Sequence, residues 1–252
     1  MKKLLLFITA IFICGAAIAQ TIRWHIGDTV YQTTTCNAGE SITPPTAPDR
    51  FGYTFQEWAE YIPIEYLEST GTQYIDTGFM FTDNSGQVDL EYEQTRATGN
   101  FRLFGYWVSA SSNSLTLRLD NSYYLTWTGS TEIFKGDEVY SSANIKHKVV
   151  NIFNNGTYTI TFDNQTYEGS YTRSISENGQ VCYLFAMKYS GAYGIAYAKI
   201  YSAKIYDNNI LVRDFIPVLD GNGTPCMYDK VEKKFYYNAG TGQFIAGPVV
   251  GE

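Results

Sequence analysis

Lys146-His147-Lys148-Val149-Val150-Asn151-Ile152-Phe153, then Asn154-Asn155-Gly156, then Thr157-Tyr158-Thr159-Ile160-Thr161-Phe162, is the stretch that decides the fold. Two runs of alternating apolar and polar residues, rich in β-branched and aromatic side chains, flank a turn of Asn and Gly. Asn and Gly accept the positive φ that a tight hairpin requires, so the segment reads as two antiparallel strands. Asp207-Asn208-Asn209 repeats the signal between candidate strands Ala196–Tyr206 and Ile210–Pro217. Working outward, further strands are expected at Gln73–Thr77, Gln87–Thr95, Phe101–Val108, Ser114–Leu119, Tyr123–Thr128 and Val181–Lys188, with Gly, Asn, Asp and Ser between them. No stretch keeps a helical apolar period over three turns. About ten strands in roughly 190 residues predicts an all-β, two-sheet antiparallel sandwich.

The composition agrees. The chain has 252 residues, 44% hydrophobic and 17% charged, with 22 Tyr, 15 Phe and 4 Trp. That excludes a disordered chain and a coiled coil. A formal charge of −7 excludes a basic nucleic-acid binder, because phosphate backbones would be repelled.

Met1-Lys2-Lys3, the apolar run Leu4–Ile18 and the small residues of Ala17-Ile18-Ala19 read as a secretory signal over 1–19. The run is shorter than the roughly 20 residues a membrane span takes, so no span is expected after cleavage. Ile13 before Cys14 argues against a lipoprotein signal. The exported chain keeps Cys36, Cys182 and Cys226, an odd number, so at least one thiol stays free or pairs outside. If a bridge forms, Cys182 and Cys226 are the pair, since both fall in the large domain; buried free thiols packing as hydrophobes are the other reading.

A boundary is expected near residue 62. Residues 20–62 are rich in Thr and Pro and end in Gly39-Glu40-Ser41-Ile42-Thr43-Pro44-Pro45-Thr46-Ala47-Pro48 and Phe51-Gly52-Tyr53-Thr54-Phe55-Gln56-Glu57-Trp58. This resembles the internalin-type B-repeat (Listeria-Bacteroides repeat), which ends in Gly-Tyr-x-Phe-x-x-Trp, with a poorly matched first strand here. The resemblance implies a small β module of a secreted or surface protein, with Tyr53, Phe55 and Trp58 as its core.

Residues 63–252 carry a second resemblance. Glu65-Tyr66-Leu67-Glu68-Ser69-Thr70-Gly71-Thr72-Gln73-Tyr74-Ile75-Asp76-Thr77-Gly78, the hairpin after His147, and Ala198-Lys199-Ile200-Tyr201-Ser202-Ala203-Lys204-Ile205-Tyr206-Asp207 with Leu211–Pro217 are similar, in order, to concanavalin A-like (laminin-G-like) jelly-roll domains. Cys226-Met227-Tyr228-Asp229-Lys230 and Tyr237-Asn238-Ala239-Gly240-Thr241-Gly242 fit the same pattern. The resemblance implies a jelly-roll sandwich and recognition of glycans or proteins.

Candidate chemistry follows from residue type. Asp89-Leu90-Glu91-Tyr92-Glu93 places three carboxylates on one face of a strand. Laminarinase-type glycosidases use a related Glu-x-Asp-x-Glu strand, which makes Glu91 and Glu93 the catalytic pair if the protein is an enzyme. Here the first acid is Asp and the flanking Trp residues are missing, so a solvated strand face is the adopted reading. The two histidines, His25 and His147, support no triad, for no Gly-x-Ser-x-Gly elbow accompanies them; His147 reads as a surface or strand-end residue. Asp220-Gly221-Asn222-Gly223-Thr224, with Asp214 and Asp229 nearby, could serve calcium through Asp220 or be a plain turn. Sugar recognition calls for exposed rings beside polar groups. Alternation puts Tyr123, Leu125 and Trp127 toward the core and Tyr124 outside, so Tyr106, Trp107 and Tyr124 are the candidate ligand-binding rings.

The sequence therefore predicts a secreted or cell-surface, non-catalytic recognition or adhesion protein whose partner is a glycan or a surface protein. A glycoside hydrolase and a purely structural surface component are the alternatives. No cofactor is required, with calcium as the candidate ion.

Overall fold

The computed structural model describes residues 2–9, 20–26, 29–37, 44–46, 48, 53–59, 61–109, 113–121, 123–135, 144–176 and 180–250. Among them every regular element is a strand, and no helix is long and apolar enough to cross a membrane. The protein is a two-sheet antiparallel jelly-roll sandwich with a small four-stranded sheet formed by earlier residues.

The small sheet runs in the order Thr29–Cys36, Gln20–Ile26, Lys2–Thr9, Tyr53–Ala59. Lys2–Thr9 pairs antiparallel with Gln20–Ile26 through Phe7↔His25 and parallel with Tyr53–Ala59. The apolar run read as part of a secretory signal thus supplies an inner strand of this sheet. The expected cleavage site at Ala17–Ala19 lies outside the described residues, as do residues 38–43 and 49–52 of the repeat-like segment. Trp24 is buried, and its indole N–H donates to Thr34 Oγ1 at 2.8 Å.

From Ile62 onward the strands join the sandwich. The larger sheet runs Gln165–Ser170, Thr157–Phe162, Lys146–Asn154, Ser85–Gln94, Tyr197–Asp207, Ile210–Leu219, Pro225–Asp229, Lys234–Tyr236. The smaller runs Thr131–Lys135, Tyr123–Thr128, Leu115–Asp120, Asn100–Tyr106, Tyr183–Leu184, Ile75–Asp76, with the short hairpin Met187–Lys188/Ala192–Tyr193 against Asn100–Tyr106. Both expected hairpins are present. Asn155 and Gly156 take φ of 46° and 98°, and Asn208 and Asn209 take 46° and 63°, the pair of positive values a type I′ turn needs. The continuous strand expected over Val181–Lys188 is interrupted, because Phe185 turns to φ 63° and buries its ring against Phe244, centroids 5.1 Å apart. Thr131–Lys135, Gln165–Ser170 and Pro225–Asp229 are strands not anticipated from the sequence.

The core lies between the sheets. Val88, Leu90 and Tyr92 of the larger sheet face Leu103, Tyr106, Leu115, Leu117, Leu119 and Tyr124 of the smaller, all buried. Burying side chains of this size contributes about 1.5–3 kcal/mol each. At its centre Asn151 is fully buried; its Oδ1 accepts from the Tyr124 hydroxyl at 3.1 Å and Thr126 Oγ1 at 2.9 Å, and its Nδ2 donates to Val88 O at 3.3 Å.

His147 is not a surface residue. Strand alternation sends it inward with Val149, Asn151 and Phe153, so it is buried, with Nδ1 3.0 Å from Asp163 Oδ2 and its ring against Phe162. No bridge joins Cys182 and Cys226: both thiols are free and buried in separate apolar clusters, Cys182 in the main core and Cys226 beside Tyr61 and Val218.

Candidate functional site: an aromatic cleft over two arginines

The outer face of the smaller sheet holds a cleft of about 390 Å³ lined by Arg102, Trp107, Thr116, Arg118, Trp127, Met187, Tyr189 and Tyr193, among others. Its floor is the sheet itself. Thr116 pairs with Trp127 across the Leu115–Asp120 and Tyr123–Thr128 strands, so both side chains leave the same face. Tyr123, Leu125 and Trp127 share this outer face, and Tyr124 points into the core. The expected orientation of that strand is therefore reversed. The reason is the buried polar cluster, in which Tyr124 and Thr126 must both point inward to reach Asn151.

On the next strand the pairing shifts between Leu117 and Arg118, which brings Arg118 opposite Arg102. Such a bulge re-aims a side chain, and here it sets two guanidinium groups side by side. Arg102 is 7% exposed. Asn100 Oδ1 accepts from the guanidinium of Arg102 and from Arg118 Nη2 at 3.1 Å. Asp120 lies 3.5 Å from Arg118, and the charge of Glu132 acts on Arg118 as well. Burial, then the charge of Arg118, lowers the pKa of Arg102 to about 10, and burial also lowers that of Arg118. The backbone N–H of Arg102 donates to the carbonyl of Gly194, which sits at φ 61°, at 2.6 Å, and a Cβ there would meet Arg102 Cγ at 2.9 Å. Glycine at 194 therefore leaves room for the arginine stem.

The walls are rings. Arg118 lies over the Trp127 ring at 4.5 Å and Arg102 over Tyr193 at 5.7 Å. Trp107 meets Tyr189 edge-on at 4.8 Å, and Tyr189 meets Tyr193 at 6.0 Å. Tyr189 and Tyr193 are 40% and 51% exposed, so aromatic surface is open to solvent. Arg118 Nε and Trp127 Nε1 are buried without a hydrogen-bond partner among the described residues, a cost of about 1–3 kcal/mol each that packing alone does not demand.

The structure sorts the expected residues. Trp107 lines the cleft. Tyr106 and Tyr124 do not: both are fully buried, the Tyr106 hydroxyl donating to Ile175 O at 3.0 Å, so neither ring can meet a ligand. Trp127, Tyr189, Tyr193, Arg102 and Arg118 were missed. A lone Arg in an apolar strand run, as in Phe101-Arg102-Leu103 and Leu117-Arg118-Leu119, is the signal that could have found the basic pair.

Glu91 and Glu93 lie on the other sheet, each held by a lysine. Lys146 Nζ is 2.9 Å from Glu91 Oε2; Lys199 Nζ is 2.8 Å from Glu93 Oε1, and the Tyr201 hydroxyl donates to Glu93 Oε2 at 2.8 Å. Burial raises the pKa of Glu93, but hydrogen bonds from Lys199 and Tyr201 and the charge of Lys199 outweigh it and leave the value lowered. A general acid needs the opposite shift. Asp89 is raised by burial and accepts from Gln87 at 2.8 Å.

Asp220 is committed to its own turn. Its Oδ1 accepts from the backbone N–H of Asn222 at 2.9 Å and Thr224 at 2.8 Å, and its Oδ2 from the Tyr237 hydroxyl at 3.0 Å. Asp214 pairs with Lys230 at 2.9 Å, and Asp229 Oδ1 accepts from Asp214 N and Val231 N. No group of three His, Cys, Asp or Glu side chains able to hold a metal occurs among the described residues.

No known protein-family model matches the chain, and no curated protein does. Solved structures do. A candidate carbohydrate-binding protein from Bacteroides ovatus aligns with TM-score 0.52 at 11% identity, over 92% of this chain and 69% of that one. The mouse laminin α1 chain domains LG4-5 align with TM-score 0.45 at 13% identity, over 72% and 49%. The CBM40 of a Ruminococcus gnavus IT-sialidase aligns with TM-score 0.43 at 15% identity, over 58% and 89%. The likeness to the Bacteroides ovatus protein agrees with the jelly-roll sandwich built above.

Proposed function

We propose that this chain is a secreted or cell-surface recognition protein that binds glycan through the cleft and does no chemistry on it. The carrying observation is the open aromatic wall of Trp107, Tyr189 and Tyr193 over polar groups of the sheet floor. Sugar faces stack on rings while hydroxyls need hydrogen-bonding partners. The signal-like sequence of residues 1–19 is what supports export; the strand that Lys2–Thr9 forms beside Gln20–Ile26 does not. The repeat-like pattern of 20–62 supports a surface setting, as a small module preceding the sandwich of 63–252. Glu93, with its lowered pKa, supports a binding role over hydrolysis.

The test is an oligosaccharide panel probed with the full chain, reading both retention and product release. Retention without release, weakened at least tenfold by Trp107→Ala or Tyr193→Ala, is the expected result. Product release lost on Glu93→Gln, or no retention of any saccharide, would overturn the proposal.

A further inference from the structure

We infer that the cleft is built for an acidic saccharide, whose carboxylate lies across the paired guanidinium groups of Arg102 and Arg118 while its ring lies against the aromatic wall. This rests on the glycan-binding reading and adds the ligand's charge.

The pairing of the two arginines carries the inference. Like charges directly opposite on neighbouring strands repel, and Arg118 is the cross-strand partner of Arg102. Burying a guanidinium is costly unless an anion or several acceptors compensate it. Among the described residues Arg102 has no carboxylate within 4 Å, and its side-chain acceptors are Asn100 Oδ1 and Phe101 O. The charges of Asp120 and Glu132 both act on Arg118, and Asp120 is 37% exposed at its side chain. The cleft floor therefore keeps one buried guanidinium, that of Arg102, with no carboxylate in contact among the described residues, in a chain of formal charge −7. A site for a neutral sugar would need no such charge, since amides and hydroxyls suffice. A planar carboxylate matches the fork of a guanidinium, and two adjacent forks can share one. Arg102 keeps its proton up to about pH 10, so the site stays cationic wherever a sugar acid is ionised.

The test compares saccharides that differ only in the acid, by calorimetry on the full chain at low salt. Trigalacturonate is paired with its methyl ester, and sialyllactose with lactose. The expected result is that at least one acid binds about 10- to 100-fold more tightly than its neutral partner, that 0.5 M salt weakens it, and that Arg102→Gln removes the difference. The ester comparison uses the native protein, so it stands even if Arg102→Gln fails to fold; Arg118→Gln provides a second, less buried variant. Equal binding of acid and neutral forms, with both lost on Trp107→Ala, overturns the acidic assignment and leaves the glycan reading intact. Binding of none of these, and of no neutral saccharide in the wider panel, overturns both.

Discussion

The hydroxyl of Tyr124 donates to Oδ1 of Asn151 at 3.1 Å across the interior of the sandwich, tying the smaller sheet to the larger. Both residues are fully buried, so the bond cannot be exchanged for water. Tyr124→Phe removes one donor and leaves Thr126 on the same oxygen; it is expected to cost about 0.5–1.5 kcal/mol. Asn151→Ala takes the shared acceptor from two buried hydroxyls, and is expected to cost more than Tyr124→Phe. Urea unfolding of both variants, with unchanged m values, checks the order.

That cluster also explains which parts of the architecture were legible. The hairpins at Asn155-Gly156 and Asn208-Asn209 could be read because turn chemistry is local. Alternation told that Tyr123, Leu125 and Trp127 share a face. It turned the wrong face inward, because Leu125 and Trp127 argued for the core and Thr126, on the opposite face, for solvent. The decision came from Asn151, a residue on another strand of another sheet. The cleft was half legible for the same reason: Trp107 announced itself beside a polar loop, whereas the convergence of Arg102 and Arg118 depends on a register shift that no single strand reveals.

Gly194 gives the cleft a test that touches none of its rings. A side chain there must adopt φ 61° and displace the Arg102 stem, and the left-handed backbone alone costs about 1–2 kcal/mol for an L-residue. Gly194→Ala is therefore expected to keep the fold and lower the melting temperature by a few degrees. It should also weaken saccharide binding more than Gly191→Ala, whose Cβ meets nothing within 4 Å. Thermal melts and binding isotherms of the two variants make the comparison.

The Glu93–Lys199 pair sets a pH dependence. The pKa of Glu93 is lowered in the folded chain, so its contribution is present above the ordinary glutamate value and is lost as pH falls through the lower folded value. The pKa of Lys199 is raised, chiefly by its hydrogen bond to Glu93, so its share is present below the ordinary lysine value and is lost as pH rises through the folded one. Glu93→Gln is expected to cost about 1 kcal/mol or less at neutral pH, as fits a pair near the surface. The difference from the native chain should vanish in strong acid, which stability measurements from pH 2 to 8 will show.

The two described thiols should be inert in the folded protein. Burial raises the pKa of Cys182 well above the ordinary thiol range and that of Cys226 to about 12, and the thiolate is the reactive form. With Cys14→Ser and Cys36→Ser in place, so that only these two are counted, the folded chain at pH 8 is expected to take up no maleimide over minutes. The urea-unfolded chain should take up two. Peptide mapping under non-reducing conditions should find Cys182 and Cys226 unlinked; a peptide joining them would contradict their placement in separate clusters, and rapid labelling of either would contradict its burial.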